Sequence, residues 1–421
     1  MALVTADGVS AGQGTPRAPM TPYEAAYAIA ARLTDRGHVA YFAGGCVRDT
    51  LLALEPTDYD IATSANPDEI RAVFRSARGV GESFGVMLVR IGGRTVEVAT
   101  FRSEGAYNDG RRPSTVDFSD AQQDALRRDF SINGLFQDPR TGEIIDHVGG
   151  RADLEKRILR AIEDPERRME DDRLRTLRAA RFAARYSLKV DDATERAVIR
   201  YAGDLKGVSR ERIGGEVRRM LEHTTRGRAV ELLERWGLDV ACLGEPHSVG
   251  ALDALTALPP GIAYCASLAA WRLDRNARQP PAGTGPWAHT LVLSNREQED
   301  LADVLELVDA LETKWTTLSV SARKRLAARR TAGEAIAVVT ARQLGMGARI
   351  SADIAQLRQS PGGIAPAAFV TGADLIALGE RPGPKFKGLL DEVYDSQLEG
   401  RVQNREEALD EARRRIANAK N

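Results

Sequence analysis

Short apolar runs separated by turn residues dominate the early part of the chain. Val39–Ala43 is apolar and stops at Gly44-Gly45, and two further runs, Phe84–Ile91 and Arg94–Phe101, flank the pair Gly92-Gly93. A Gly-Gly pair between two apolar runs is typical of a two-residue hairpin turn. The pattern therefore predicts strands in this part of the chain, two of which form a hairpin.

Before these runs, at Thr21–Arg36, and again after Asp153, apolar residues recur at helical spacing. Thr21–Arg36 has this spacing, with Thr21 as a predicted N-cap and Pro22 at the first helical position. Pro165–Ser187 predicts one long basic helix, and further helical patterns continue almost to the end of the chain. We therefore expect an α+β fold, in which a mixed-sheet head is followed by an all-helical remainder.

Length and composition restrict the possibilities further. The chain has 421 residues and a formal net charge of −1, which neither supports nor excludes a nucleic-acid partner. We divide it into a flexible leader (1–20), a head (21–160), a neck (161–237), a body (238–330) and a tail (331–421).

The three cysteines lie far apart, which favours a reducing, cytoplasmic compartment. No apolar run approaches membrane-spanning length, so we expect no membrane association.

Two carboxylates alternate with apolar residues in the segment Asp58-Tyr59-Asp60-Ile61. Alternate side chains of a strand share a face, so Asp58 and Asp60 are predicted on one side and Tyr59 and Ile61 in the core. Two carboxylates on one face favour a hard divalent cation. The structural alternative is an Asx turn after Pro56.

Two more features point to nucleotide chemistry. The Gly44-Gly45 break before a helical pattern lets the backbone approach phosphate oxygens at a helix N-terminus. Glu97 lies inside the predicted return strand, on the face opposite to Val96 and Val98. It is either an edge-strand charge or a third carboxylate that faces the aspartate pair.

Five motifs in a fixed order resemble those of one known family. They span Gly44–Leu221 and read GGCVRD with TDYDIAT, VEVATFR, ALRRDFSING, EDDRLRTLRAARFA and ERIGGEVRRML. Their order and spacing resemble the class II tRNA nucleotidyltransferase family, which comprises CCA-adding enzymes and bacterial poly(A) polymerases. The closing segment Thr371–Leu409 is similar to the tail of the compact CCA-adding enzymes. The chain is thus most similar to a bacterial CCA-adding enzyme.

The resemblance implies a polymerase β-like nucleotidyltransferase head that works with two metal ions. It implies that Asp58 and Asp60 hold two Mg²⁺ ions and that Glu97 is the third catalytic acidic residue. It also implies a set of nucleotide-binding residues, which are Gly44, Gly45, Arg48, Asp124, Arg127, Arg128, Asp129 and Asn133. The structural alternatives are an ordinary helix surface at Arg48 and a salt-bridged helix at Asp124.

Base selection is assigned by the same resemblance to an acidic pair followed by an arginine. Here these are Asp171, Asp172 and Arg175, with the register Glu170-Asp171 left open and Arg178 one turn further on the same helix. A fixed carboxylate beside a fixed guanidinium accepts the edge that cytosine and adenine share and rejects guanine and uracil. A surface ion pair at i, i+3 is the structural alternative.

We therefore expect template-independent addition of CMP and AMP, from CTP and ATP, to the 3′ end of tRNA. The loop at 110–113, part of which relatives restricted to C addition tend to lack, favours AMP addition as well. The first alternative is a poly(A) polymerase or an A-adding enzyme of the same family, and the second is a non-catalytic RNA-binding relative. The basic residues at 323–330 are either RNA-backbone contacts or a solvated helix face.

Overall fold

The computed structural model describes residues 19–81, 85–104, 116–276 and 285–418. Most of the predicted leader and the whole predicted AMP-addition loop at 110–113 lie outside the described residues. The chain divides into two compact units. The first consists of Met1–Arg175 and Ser187–Tyr201, and the second consists of Thr176–Tyr186 and Ala202–Asn421. The boundaries of leader, head, neck, body and tail stay predictions.

A seven-stranded mixed sheet forms the centre of the first unit. The strands of this unit are β1 (Ala40–Ala43), β2 (Asp60–Thr63), β3 (Arg78–Gly81), β4 (Val86–Ile91), β5 (Arg94–Thr100), β6 (Arg102–Glu104), β7 (Val116–Phe118), β8 (Leu135–Gln137), β9 (Ile144–Asp146), β10 (Ile158–Leu159) and β11 (Lys189–Val190). The main sheet has the order β3-β4-β5-β2-β1-β8-β9, while β6 pairs with β7 and β10 with β11. Strands β2 and β5 run parallel, whereas the other neighbours in the main sheet are antiparallel.

The predicted hairpin is confirmed between β4 and β5. Gly92 and Gly93 both have positive φ, at 54° and 79°, as a two-residue turn of this type requires. The turn sets the register in which Ile91 pairs with Arg94 and Val89 with Val96. The register therefore follows directly from the glycine pair in the sequence.

Seven helices and one 3₁₀ turn surround the described sheet of the first unit. They are α1 (Pro22–Asp35), α2 (Gly45–Leu51), α3 (Pro67–Val73), α4 (Ala121–Leu126), the 3₁₀ turn Ser131–Asn133, α5 (Gly150–Glu155), α6 (Pro165–Asp171) and, after α7 (Leu174–Arg185), α8 (Asp192–Tyr201). The predicted start of α1 is confirmed, because Thr21 and Glu24 form a reciprocal capping box. Its apolar face packs on β1 and β5 and buries Ile29 and Leu33 completely.

The single long helix predicted over Pro165–Ser187 is wrong. Helix α6 ends at Asp171, Asp172 has an extended backbone with φ of −145°, and α7 begins at Leu174. The Asp172 carboxylate accepts a hydrogen bond from the Leu174 backbone N–H at 3.1 Å. An aspartate that bonds a nearby backbone N–H offers the chain an alternative to continuing the helix, so the break is locally satisfied.

Among its described residues, the second unit has helices as its only regular secondary structure. Besides α7 its helices are α9 (Arg210–Leu221), α10 (Arg226–Arg235), α11 (Leu238–Leu243), α12 (Asp253–Ala257), α13 (Tyr264–Arg275), α14 (Trp287–Thr290), α15 (Asn295–Thr313), α16 (Val320–Ala327), α17 (Ala332–Arg342), α18 (Leu344–Gln359), α19 (Gly372–Ala377), α20 (Pro384–Leu398) and α21 (Arg405–Asn418), with a 3₁₀ turn at Trp315–Thr317. A separate apolar cluster around Leu375, Val393 and Ala408 holds the last three helices together. The predicted α+β fold, a mixed-sheet head with a helical remainder, is confirmed.

The basic residues at 323–330 do not form an open cationic surface. Arg325 pairs with Asp395 at 2.7 Å, and Arg329 and Arg330 pair with acidic residues of α15. Lys324 is buried, with 2% of its surface exposed. Most of the charge in this segment therefore ties helices of the second unit to one another, a role that the sequence does not reveal.

Candidate active site

Two carboxylates lie side by side at the centre of the main sheet. Ile61 of β2 pairs with Val98 of the parallel strand β5, so Asp60 and Glu97, one residue earlier on each strand, are neighbours on the opposite face. Their Cα atoms are thus about one strand spacing, ~4.8 Å, apart. The prediction of Glu97 as a carboxylate beside the aspartates, rather than an isolated edge charge, fits this register.

The core side of the same segment also matches the predicted alternation. Ile61 is buried, and the Tyr59 ring packs edge-on against Phe42 with centroids 5.1 Å apart. Asp58 precedes the first residue of β2 and is exposed. The packing of Tyr59 and Ile61 fixes the direction of Asp60, because consecutive side chains of a strand point to opposite faces.

The carboxylates repel one another. The pKa of Asp60 is raised to about 6, because protein atoms exclude water from it and because the Glu97 and Asp58 carboxylates lie nearby, while Arg128 opposes the rise. Such a set of oxygen donors with excess negative charge fits a divalent cation, which would relieve the repulsion. In the part of the chain that the structure describes, no group of three or more His, Cys, Asp or Glu side chains is arranged to hold a metal. A metal-binding role of the pair Asp58 and Asp60 therefore stays a prediction.

A glycine turn follows β1, next to β2. Gly44 caps α2 with φ of +67°, and its N–H donates to the Leu135 carbonyl at 2.9 Å. A Cβ at this position would lie 2.7 Å from Arg128 Nη1 and 3.4 Å from the Asn133 carbonyl oxygen. Glycine is thus required here both for the backbone conformation and for the approach of the Arg128 guanidinium. Gly45 follows as the first residue of α2.

Arg48, Asn133 and Asp129 form a buried chain of hydrogen bonds. Arg48 Nη1 donates to Asn133 Oδ1 at 2.5 Å, and Asn133 Nδ2 donates to Asp129 Oδ1 at 3.0 Å. Arg48 also bonds Asp49 through Nε at 2.9 Å. The three predicted nucleotide-binding residues are therefore brought together, with Arg48 buried rather than on an ordinary helix surface.

Asp124 holds two arginines. Its carboxylate pairs with Arg127 at 2.6 Å and with Arg128 at 2.9 Å, and only 1% of Asp124 is exposed. Burial alone would favour the protonated carboxyl, but the Arg128 and Arg127 guanidinium groups outweigh it and hold the pKa of Asp124 below its ordinary value. The salt-bridged arrangement considered as the alternative is present. Asp124 thus orients two cations rather than offering a free carboxylate.

The predicted base-selecting residues lie at the break between α6 and α7. Arg175 is buried and donates from Nη1 to the Arg168 carbonyl at 2.9 Å and from Nη2 to the Arg127 carbonyl at 3.2 Å. Asp171 and Asp172 are half-buried, whereas Glu170 is exposed. Burial raises the pKa of Asp171, and the nearby Arg175 opposes this rise. The exposure pattern favours Asp171-Asp172 over the alternative register Glu170-Asp171.

Arg178 belongs to the second unit and has different surroundings there. Its guanidinium lies 3.9 Å from Glu216 and 5.1 Å from the centre of the Phe182 ring. Glu216 is buried and also pairs with Arg181 at 2.6 Å and Arg219 at 2.8 Å. A nucleotide contact by Arg178 stays a prediction, while Glu216 joins α7 to α9.

The sequence did not predict the contacts of α5 with the 3₁₀ turn that carries Asn133. Asp153 on α5 accepts hydrogen bonds from Ser131 Oγ and from Arg160 Nε, the latter at 2.9 Å. A Cβ at Gly150 would lie 2.1 Å from the Ser131 carbonyl oxygen, so α5 packs directly on the backbone of the 3₁₀ turn. The pair Gly149-Gly150 was the available signal, since glycine in a helix often marks close backbone approach.

Comparison with known proteins finds the poly A polymerase head domain and several CCA-adding enzymes. Residues 40–160 match the family model of the poly A polymerase head domain. The CCA-adding enzyme of Lactobacillus delbrueckii subsp. bulgaricus (strain ATCC 11842) is 31% identical over 386 residues, which cover 90% of this chain and 94% of that enzyme. The CCA-adding enzyme of Geobacillus sp. (strain WCH70) is 39% identical over 218 residues, and this match spans only about half of either protein, 52% and 54%.

A solved structure extends the likeness over nearly the whole chain. The crystal structure of the Bacillus stearothermophilus CCA-adding enzyme in complex with CTP has a TM-score of 0.79 and 26% identity, and covers 95% of this chain and 99% of that one. Among the described helices, none has the length and apolar character needed to cross a membrane. The paired strand carboxylates, the glycine turn and the match along nine-tenths of a relative lead to one conclusion. This chain belongs to the family of the CCA-adding enzymes, nucleotidyltransferases with a poly(A) polymerase-type head.

Proposed function

We propose that this protein adds CMP and AMP, taken from CTP and ATP, to the 3′ end of tRNA without a nucleic-acid template. The observation that carries the proposal is the adjacency of Asp60 and Glu97 on parallel strands, with the Gly44 turn on the next strand. The family to which the chain belongs supports the same reaction. Three free, buried cysteines support a reducing, cytoplasmic location.

Nucleotidyltransferases of this kind use divalent metal ions, and we propose two Mg²⁺ ions held by Asp58 and Asp60. When bound, such ions activate the attacking hydroxyl and neutralise the leaving pyrophosphate. Glu97 supplies further negative charge on the β5 side of Asp60. In the reaction the 3′ oxygen bonds to the α-phosphorus of the nucleotide, the bond to pyrophosphate breaks, and the hydroxyl proton is lost to solvent.

The glycine turn and the two arginines held by Asp124 serve the triphosphate. Backbone N–H groups beside Gly44 and Gly45 can approach phosphate oxygens closely because no Cβ intervenes at Gly44. Arg127 and Arg128 are pre-oriented by Asp124, so less side-chain entropy is lost when they bind an anion. The Arg48–Asn133 pair joins this turn to the segment that carries the arginines.

Asp172 and Arg175 suit the choice of base. Cytosine and adenine each present an amino donor beside a ring-nitrogen acceptor, which a carboxylate and a guanidinium complement, whereas guanine and uracil present the reverse order. Two of the five N–H groups of Arg175 bond backbone carbonyls, which fixes the plane of the guanidinium. A fixed donor discriminates strongly, because a wrong base leaves buried polar groups unpaired.

Primer extension tests this proposal. Purified protein, Mg²⁺ and a tRNA that ends at the discriminator base are incubated with CTP, with ATP or with both, beside an Asp60→Ala control. We expect two additions from CTP alone, three from the mixture, and none from the Asp60→Ala protein. A long homopolymer from ATP alone would establish the poly(A) alternative. Absence of any incorporation by the wild type would favour a non-catalytic RNA-binding protein.

A further inference from the structure

We propose that the open face of β3, β4 and β5 beside Glu97 binds the backbone of the RNA whose 3′ end is extended, through Arg78 and Arg90. This inference rests on the proposed function and deepens it. It assigns to named residues the surface that receives the RNA, while the nucleotide lies on the other side of Asp60.

Cross-strand register places four side chains in one row. Leu88 lies opposite Glu97, and Arg78 lies opposite Leu88. Glu97 is in turn the neighbour of Asp60 in the parallel pair of β2 and β5. Because paired residues of adjacent strands project from the same face, Arg78 lies on the carboxylate face, three strand spacings or ~14 Å from Asp60.

Arg90 lies on the same face, two residues after Leu88 on β4. It pairs with Thr95 of β5, and both residues are exposed, whereas Val89 and Val96 on the opposite face are buried. Arg78 and Glu97 are also exposed. The helices that contact β4 and β5, α1 and α3, pack on the buried face. Within the described residues, the carboxylate face of this part of the sheet is thus open.

Neither arginine is held by another side chain of the described residues. Arg71, on the preceding helix, pairs with Asp68 at 3.1 Å, and Arg127 and Arg128 are held by Asp124. By contrast, the guanidinium groups of Arg78 and Arg90 have neither a hydrogen bond nor an ion pair to any residue that the structure describes. Two unpaired cations on an open face complement a chain of phosphates.

The order of the strands indicates which anion Arg78 and Arg90 bind. The glycine turn follows β1, on one side of β2, and Glu97 lies on β5, on the other side. A triphosphate at the glycine turn therefore leaves the β5 side for the attacking 3′ hydroxyl. The phosphates that precede this hydroxyl then continue across β4 and β3, where Arg90 and Arg78 lie. A linear RNA 3′ end fits this path, whereas a second nucleotide would not reach both arginines and Glu97.

Binding of tRNA without nucleotides tests the inference in the full-length protein. We expect the double variant Arg78→Ala/Arg90→Ala to raise the Kd for tRNA lacking its CCA end roughly tenfold. The slope of log K against log salt should become shallower by about 1.4, or ~0.7 for each lost contact with a single strand. Arg36→Ala removes the exposed arginine that caps the end of α1, on the buried side of the sheet, and is the control that should change neither quantity.

One further variant and one further measurement keep the test decisive. Arg78→Lys/Arg90→Lys retains both charges and should recover most of the affinity and the salt slope, while the Kd for CTP should stay at the wild-type value in every variant. A double alanine variant that binds tRNA with wild-type Kd and slope overturns the inference, even if the wild type extends tRNA normally. An increase in the Kd for CTP instead would assign the arginines to the triphosphate. Failure of the wild type to extend any tRNA would defeat the proposed function itself.

Discussion

Arg48 donates a hydrogen bond to Asn133 at 2.5 Å, although 85 residues separate them in sequence. Both side chains are buried, and the bond joins α2 to the 3₁₀ turn after Arg128. The pair therefore connects the two segments that we propose for triphosphate binding.

Substitution Asn133→Ala removes the acceptor of Arg48 and the donor to Asp129. We expect the free energy of unfolding to fall by about 1–3 kcal/mol, because a buried guanidinium loses a partner. The KM for both nucleotides should rise as well. Urea denaturation and steady-state kinetics measure the two effects, and an unchanged unfolding midpoint would show that the pair contributes nothing to stability.

The ion pairs of Asp124 predict a pH dependence of stability. The pKa of Asp124 is lower in the folded protein than its ordinary value of 3.8, so its stabilising contribution is full above that value and is lost as the pH falls through the folded pKa. Asp124→Asn should therefore lower the free energy of unfolding at pH 7 by about 3 kcal/mol, with a smaller difference from the wild type below pH 4.

The control for that measurement is Asp68→Asn. Asp68 also pairs with an arginine, but its side chain is 92% exposed, so its loss should cost less than about 1 kcal/mol at any pH. Equal effects of the two substitutions at pH 7 would contradict the assignment of Asp124 as a buried anchor of two arginines.

A comparison of two glycines tests the close approach at the turn. Gly44→Ala and Gly37→Ala both place a side chain at positive φ, but only at position 44 would the new Cβ meet Arg128. We expect similar losses of stability, about 1 kcal/mol from backbone strain, in both variants. Only Gly44→Ala should also lose activity, by roughly tenfold or more in kcat/KM for CTP. Full activity of Gly44→Ala would remove the glycine turn from the site.

The acidic residues before α7 predict base discrimination. Asp172→Asn replaces an acceptor by a group that also donates, so the ratio of kcat/KM for CTP to that for UTP should fall at least about tenfold. Glu170→Gln, the exposed neighbour in the alternative register, should leave this ratio unchanged. The reverse result would place the selecting pair at Glu170-Asp171.

Local patterns predicted the parts of this molecule that depend on neighbours in sequence. The Gly92-Gly93 hairpin and the Thr21 cap follow from turn and capping chemistry. The adjacency of Asp60 and Glu97 does not, because it depends on the pairing of β2 with β5, and the sequence left the role of Glu97 open. The break at Asp172 was not predicted, because the apolar spacing continues across it and only a side-chain bond to the Leu174 N–H interrupts the helix. Likewise the Arg48–Asn133 bond depends on the order of strands, which spacing in sequence does not encode.

The sequence of the product tests CCA addition directly. A tRNA that ends at the discriminator base is incubated with the protein, Mg²⁺ and all four nucleoside triphosphates, and the new 3′ ends are sequenced. We predict that the ends read CCA and stop there, with neither guanosine nor uridine incorporated. A run of adenosines, or incorporation of all four nucleotides, would contradict it.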